Sequence, residues 1–114
     1  MDRLTLLVFG DNTAVLELIE NTLRQRGHRV LATNKSNEVL EIGRRIRIDL
    51  LISDVVPGGP ALARQLVEIQ PSLKVLCLLD GDGTAGAVDD ADVFLQKPVV
   101  LGELEAAVAA ALDR

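Results

Sequence analysis

The sequence has few residues of the types that crosslink a chain or bind soft metals. Its 114 residues include one cysteine, Cys77, and one histidine, His28. A single cysteine excludes an internal disulfide framework and a cysteine-based zinc site, and a single histidine excludes a multi-histidine metal site. The longest apolar run, Ala106 to Leu112, has seven residues, whereas a membrane-spanning helix needs about 20. No signal peptide is visible at the start, so we expect a cytoplasmic location.

Positive charge is also scarce. The chain has 12 Lys and Arg against 17 Asp and Glu, which gives a formal net charge of −5. An acidic domain lacks the basic face that nucleic acid requires, and anionic membrane surfaces repel it for the same reason. Arg44, Arg45 and Arg47 form a short basic cluster that we interpret as a solvated helix end. We therefore expect neither nucleic acid nor a membrane as a partner.

The chain does have a regular alternation of apolar strand-like runs and amphipathic helix-like segments. Strand-like runs begin about 20–25 residues apart, the spacing of parallel strands joined by helical crossovers. We predict an α/β fold with a flavodoxin-like, doubly wound parallel sheet of five strands in the order 2-1-3-4-5, as one domain over residues 1–114. The predicted strands are Leu4–Phe9, Arg29–Thr33, Leu50–Ser53, Lys74–Leu79 and Val93–Leu95.

The turns between these segments carry helix start and stop signals. Asn12 or Thr13 is predicted to cap the first helix and Gly27 to end it. Ser36 is predicted to cap the second helix. Residues 80–92 are rich in Gly and Asp, so the fourth helix, between the fourth and fifth strands, is expected to be shortened to one turn at most.

Three charged side chains follow strands at one edge of the predicted sheet. Asp11 follows the first strand, Asp54 the third and Lys97 the fifth, and the strand order makes the first and third strands neighbours. Two carboxylates with no nearby histidine suit a hard divalent cation such as Mg²⁺, and a lysine opposite them can neutralise a phosphoryl oxygen. A carboxylate nucleophile with this charge neutralisation predicts phosphoryl transfer.

Two of these residues also have structural explanations. Asp11 could cap the first helix, and Lys97 could place its apolar stem along neighbouring side chains. Asp54 is harder to explain structurally, because it stands between a buried strand and the apolar pair Val55 and Val56, where a charge is costly.

Four segments carry a recognisable pattern: Leu7–Asp11, Leu50–Gly58, Leu73–Leu76 and Phe94–Pro98. Together they resemble the bacterial two-component response-regulator receiver domain, and the resemblance extends over the whole chain. The last segment, Phe94–Pro98, is similar to receivers attached to hybrid histidine kinases.

The resemblance implies phosphorelay signal transduction. Asp54 would accept a phosphoryl group from a phosphohistidine of a histidine kinase or phosphotransfer protein. Asp11, Asp54 and the carbonyl of Val56 would hold Mg²⁺, Lys97 would contact the phosphoryl group, and Phe94 would be the aromatic that flips on activation. Enzyme activity would be limited to self-phosphotransfer and slow autodephosphorylation.

The sequence departs from the family's pattern at two switch or metal positions. Gly10 replaces a usual acid, so Mg²⁺ affinity is expected to be weakened. Leu79, or Asp80 if the alignment shifts by one residue, replaces a serine or threonine. Leucine has no hydroxyl to donate to a phosphoryl group, and an aspartate would repel it. The alternative is therefore a pseudo-receiver, a protein-interaction module that acts without phosphorylation. A homodimer stays open, although the face that receivers often use is reduced here.

A glycine pattern after the fourth strand also matches a dinucleotide-binding fingerprint. Gly81–Gly86 reads G-x-G-x-x-G, but the fingerprint belongs after a first strand and before a full helix. Neighbouring acids would repel a pyrophosphate, so we predict no nucleotide-cofactor site.

Overall fold

Strands and helices alternate along the chain as the hydrophobic pattern predicts. The computed structural model describes residues 4–54, 59–79, 91–96 and 99–113. The predicted shortened fourth helix falls mainly on residues 80–90, outside the described residues. Within the described ranges, no helix is long and apolar enough to cross a membrane. The elements are β1 (Thr5–Phe9), α1 (Thr13–Gln25), β2 (Arg29–Thr33), α2 (Ser36–Arg45), β3 (Leu50–Ser53), α3 (Gly59–Ile69), β4 (Lys74–Leu79), β5 (Val93–Gln96) and α4 (Leu101–Leu112).

The five strands form one parallel sheet in the order β2-β1-β3-β4-β5. This confirms the predicted flavodoxin-like, doubly wound architecture. β1 and β3 are neighbours, and Phe9 at the end of β1 lies opposite Ser53 at the end of β3. Because parallel strands end at the same edge, the residues that follow β1 and β3 meet at the carboxyl edge of the sheet.

Hydrophobic layers cover both faces of the sheet. Alternate residues of β1 pack in the two layers, since successive side chains of a strand point to opposite faces. Leu6 and Val8 face the layer built by α1 and α4, whereas Leu7 and Phe9 face the layer built by α2 and α3. Burial on both faces explains why the strands are apolar throughout rather than alternating with polar residues.

The start and the end of α1 follow the sequence signals. The side chain of Asn12 accepts a hydrogen bond of 3.2 Å from the Val15 N–H, which confirms Asn12 as the cap. Gly27 has a φ of 89°, a left-handed conformation that favours glycine and terminates the helix.

The predicted cap of α2 is wrong. Ser36 is the first helical residue, and Lys35, which precedes it, makes no side-chain cap hydrogen bond. The Thr33 hydroxyl organises this turn instead, accepting from the Lys35 N–H at 3.1 Å and donating to Glu38 Oε1 at 2.9 Å. A buried threonine at the end of β2 therefore supplies the local hydrogen bonding that was expected of Ser36.

Candidate functional site

Asp54 lies directly after β3, and only 4% of the residue is exposed. Its backbone N–H donates to the Phe9 carbonyl at 2.8 Å, which extends the pairing of β1 and β3 one residue beyond β3. The Ser53 hydroxyl donates to the Asp54 carbonyl at 3.2 Å. These hydrogen bonds fix the backbone of Asp54 at the end of β3.

Gly10, the residue after β1, lies against the Asp54 side chain. A Cβ built on Gly10 would come 2.8 Å from Asp54 Cβ and 3.3 Å from Asp54 Oδ2. Real Cβ atoms essentially never approach another heavy atom closer than 3.0 Å. Only glycine therefore leaves room for the observed position of Asp54.

Asp11 follows Gly10 and is exposed. Asn12 caps α1, so Asp11 does not have the capping role that would have explained it structurally. The turn after β1 places Asp11 next to the glycine that contacts Asp54. The predicted pairing of Asp11 and Asp54 at the carboxyl edge is consistent with this arrangement.

The chemistry of these two side chains fits a hard divalent cation. One carboxylate is exposed and the other is buried, and both present oxygen ligands. Among the residues that the structure describes, no group of three or more His, Cys, Asp or Glu could hold a metal ion. A cation at this edge would therefore take two protein carboxylates and complete its coordination with water or backbone carbonyl oxygens.

Of the other predicted site residues, the structure describes Leu79 and Phe94. Val56 and Lys97 lie outside the described residues, as does the Gly81–Gly86 segment. Leu79 ends β4, the neighbour of β3, and packs against the layer built by α2 and α3. Phe94 lies on the edge strand β5, two strands from Asp54, and is 45% exposed.

Comparisons with known proteins point to one family. No family model matches the chain. The response regulator MprA of Mycobacterium leprae is 34% identical over 116 residues, which cover 96% of this chain and 51% of MprA. The chain spans about half the length of MprA and of YvrH, a transcriptional regulatory protein of Bacillus subtilis that is 26% identical over the whole of this chain.

Solved structures agree over the whole fold. The receiver domain of the hybrid histidine kinase CckA has a TM-score of 0.80 and 31% identity, covering 95% of this chain and 98% of that domain. A response regulator of Burkholderia pseudomallei, solved with a phosphorylated aspartic acid, a calcium ion and citrate, has a TM-score of 0.78 and 26% identity, covering 93% of this chain and 66% of that one. On its sheet order, its carboxyl-edge aspartates and these similarities, the chain belongs to the response-regulator receiver domains of two-component signalling.

Proposed function

We propose that Asp54 is the phosphoryl acceptor of this receiver and that its donor is a phosphohistidine on a histidine kinase or phosphotransfer protein. The observation that carries the proposal is the burial of the Asp54 carboxylate at the carboxyl end of β3, where open α/β sheets bind ligands. A buried carboxylate is costly without a functional or structural reason. The response-regulator relatives favour this function over a phosphorylation-independent interaction module.

The transfer is a displacement at phosphorus. A carboxylate oxygen of Asp54 forms a bond to phosphorus while the bond between phosphorus and the histidine nitrogen breaks. The nitrogen leaves with the bonding electron pair, and the product is an acyl phosphate. Fixing the backbone of Asp54 through Phe9 and Ser53 restricts the positions that the attacking oxygen can take, which lowers the entropic part of the barrier.

A divalent cation fits the same edge. The Burkholderia regulator, with its phosphorylated aspartic acid and calcium ion, supports a cation site in this chain, and we assign Mg²⁺ to it because two carboxylates suit a hard cation. Asp11 and Asp54, with the Val56 carbonyl, would hold Mg²⁺, which neutralises charge on the phosphoryl oxygens when bound. Lys97 would add a positive charge on the other side of the phosphoryl group.

We further propose that residues 1–114 form one receiver domain. It works in the cytoplasm with a kinase or phosphotransfer protein as its partner. Its net charge of −5 argues against nucleic-acid binding through this domain. Phe94 and Leu79 are its switch positions, with no hydroxyl at Leu79 to couple them to the phosphoryl group.

Intact-mass spectrometry after incubation with acetyl phosphate and Mg²⁺ tests the proposal. The wild-type protein is expected to gain one phosphoryl group, and Asp54→Asn is expected to gain none. Asp113→Asn is the matched control, because it makes the same chemical change at an exposed carboxylate at the end of α4, and it should be phosphorylated like the wild type. An unmodified wild-type protein would contradict the proposal and favour the pseudo-receiver.

A further inference from the structure

We propose that Gly10 is a positioning residue for Asp54: the absence of a side chain at Gly10 sets where the acceptor carboxylate lies. The inference rests on the proposed function of Asp54 and concerns the geometry of the same site. It assigns to Gly10 a steric role, whereas the sequence alone indicates only that an acidic group is missing there.

The contact between the two residues cannot be relieved by rotating a side chain. The atom of Asp54 closest to a Cβ on Gly10 would be Asp54 Cβ, at 2.8 Å. Rotation about the Asp54 side-chain bonds moves its carboxylate but leaves its Cβ in place. A substitution at Gly10 therefore requires the backbone at position 10 or at position 54 to move.

Hydrogen bonds hold both backbones in place. The Gly10 N–H donates to the Thr33 carbonyl at 3.4 Å on the side of β2, and the preceding Phe9 carbonyl accepts from the Asp54 N–H at 2.8 Å on the side of β3. Gly10 thus lies between two neighbouring strands that it cannot leave without breaking this pairing. A Cβ at position 10 therefore requires position 10 and Asp54 to shift relative to each other.

This arrangement predicts an unusual result for Gly10→Asp. If the number of carboxylates alone decided metal affinity, the added aspartate would strengthen Mg²⁺ binding. If space decides, Gly10→Asp weakens binding, because its Cβ displaces Asp54 and its charge repels the buried Asp54 carboxylate. Gly10→Ala separates the two effects, since it adds the Cβ without the charge.

The first experiment is a Mg²⁺ titration followed by amide NMR signals near Asp11 and Asp54, with phosphorylation by acetyl phosphate measured in parallel. Gly10→Ala and Gly10→Asp are both expected to lower Mg²⁺ affinity by about tenfold or more and to slow phosphorylation by about tenfold or more. Gly102→Ala is the control, because a Cβ there meets nothing within 4 Å, and it should match the wild type. Wild-type behaviour of Gly10→Ala, or tighter Mg²⁺ binding by Gly10→Asp, would overturn the proposal.

The second experiment is a thermal-unfolding cycle that needs neither metal nor phosphate. Gly10→Ala should lower Tm in the wild-type and Asp54→Ala backgrounds, since both keep a Cβ at position 54. In the Asp54→Gly background the loss should largely disappear, because the colliding atom is gone. An equal loss in all three backgrounds refutes the Gly10 proposal. A wild-type protein that takes no phosphoryl group refutes only the function of Asp54, so the two failures are distinguishable.

Discussion

Two aspartate side chains each accept a backbone hydrogen bond at the point where two parallel strands begin to pair. Asp49, just before β3, accepts from the Thr5 N–H at the start of β1 through Oδ2, and its own N–H donates to the Thr5 carbonyl, both at 2.8 Å. Asp92, just before β5, makes the same two bonds to Val75 of β4, also at 2.8 Å. Each carboxylate supplies an acceptor for a backbone N–H where the strand pairing begins.

Substitution of Asp49 tests this role. Asp49→Ala is expected to lower the free energy of unfolding by about 1–3 kcal/mol, because it leaves the Thr5 N–H without its acceptor. Asp49→Asn should lose less, since an amide oxygen can accept the same bond. The ion pair with Arg47, at 3.7 Å and with the arginine side chain 79% exposed, adds little. Urea unfolding measures both variants, and an asparagine variant as unstable as the alanine variant would indicate that charge matters more than hydrogen bonding.

Predictability at the residue scale follows the distance along the chain between interacting groups. Asn12 was predictable as a cap because its partner is three residues away. Asp54 was predicted to be buried for a reason because a charge directly follows a buried strand; its burial is observed, and its role as a site residue stays a prediction. The contact of Gly10 with Asp54 was not predictable, because it joins residues 44 positions apart. Ser36 was predicted wrongly because the Thr33 hydroxyl, from the preceding strand, organises that turn.

At the scale of elements, Gln70 joins the end of α2 to the end of α3. Its Nε2 donates to the Gly43 carbonyl at 2.8 Å and the Ile46 carbonyl at 2.7 Å, and its Oε1 accepts from the Ile48 N–H at 2.8 Å. The last carbonyls of a helix have no partner within the helix. One side chain therefore satisfies carbonyls at the end of α2 and fixes the approach to β3.

Removal of this side chain should loosen the packing of α2 on α3. Gln70→Ala is expected to lower the free energy of unfolding by about 2–4 kcal/mol, because three hydrogen bonds are lost. Gln70→Glu should be at least as damaging, since it directs a negative charge at two carbonyl oxygens. Gln65→Ala, an exposed position on α3, is the control and should stay within about 0.5 kcal/mol. Urea unfolding distinguishes these outcomes, and a Gln70→Ala loss no larger than that of the control would contradict the role.

The sequence predicted the strands and helices far better than it predicted the contacts between them. Apolar runs and helical spacing located β1 to β5 with boundary differences of about one residue, and the crossover spacing indicated the parallel order. Gln70 was missed because it stands between a helix and Pro71, where it reads as an ordinary exposed polar residue. Its three partners lie 22 to 27 residues earlier in the chain, a separation at which residue spacing carries no signal.

At the scale of the whole molecule, one sheet is shared by two hydrophobic layers. Every inner strand contributes residues to both layers, as Leu50 and Leu51 of β3 do. Removal of either layer would expose one face of all these strands to water. The two layers are therefore expected to lose their structure together, in one cooperative transition.

Matched leucine substitutions test this coupling. Leu104 of α4 and Leu66 of α3 are fully buried in opposite layers, and each change to alanine is expected to cost about 2–5 kcal/mol. Leu101→Ala, at a 42% exposed position on α4, should cost far less. Urea unfolding followed by amide NMR signals should show one midpoint for both layers in every variant. Separate midpoints would mean that each layer unfolds by itself. A common midpoint would mean that Asp54, held between β1 and the end of β3, keeps its position only while both layers are intact.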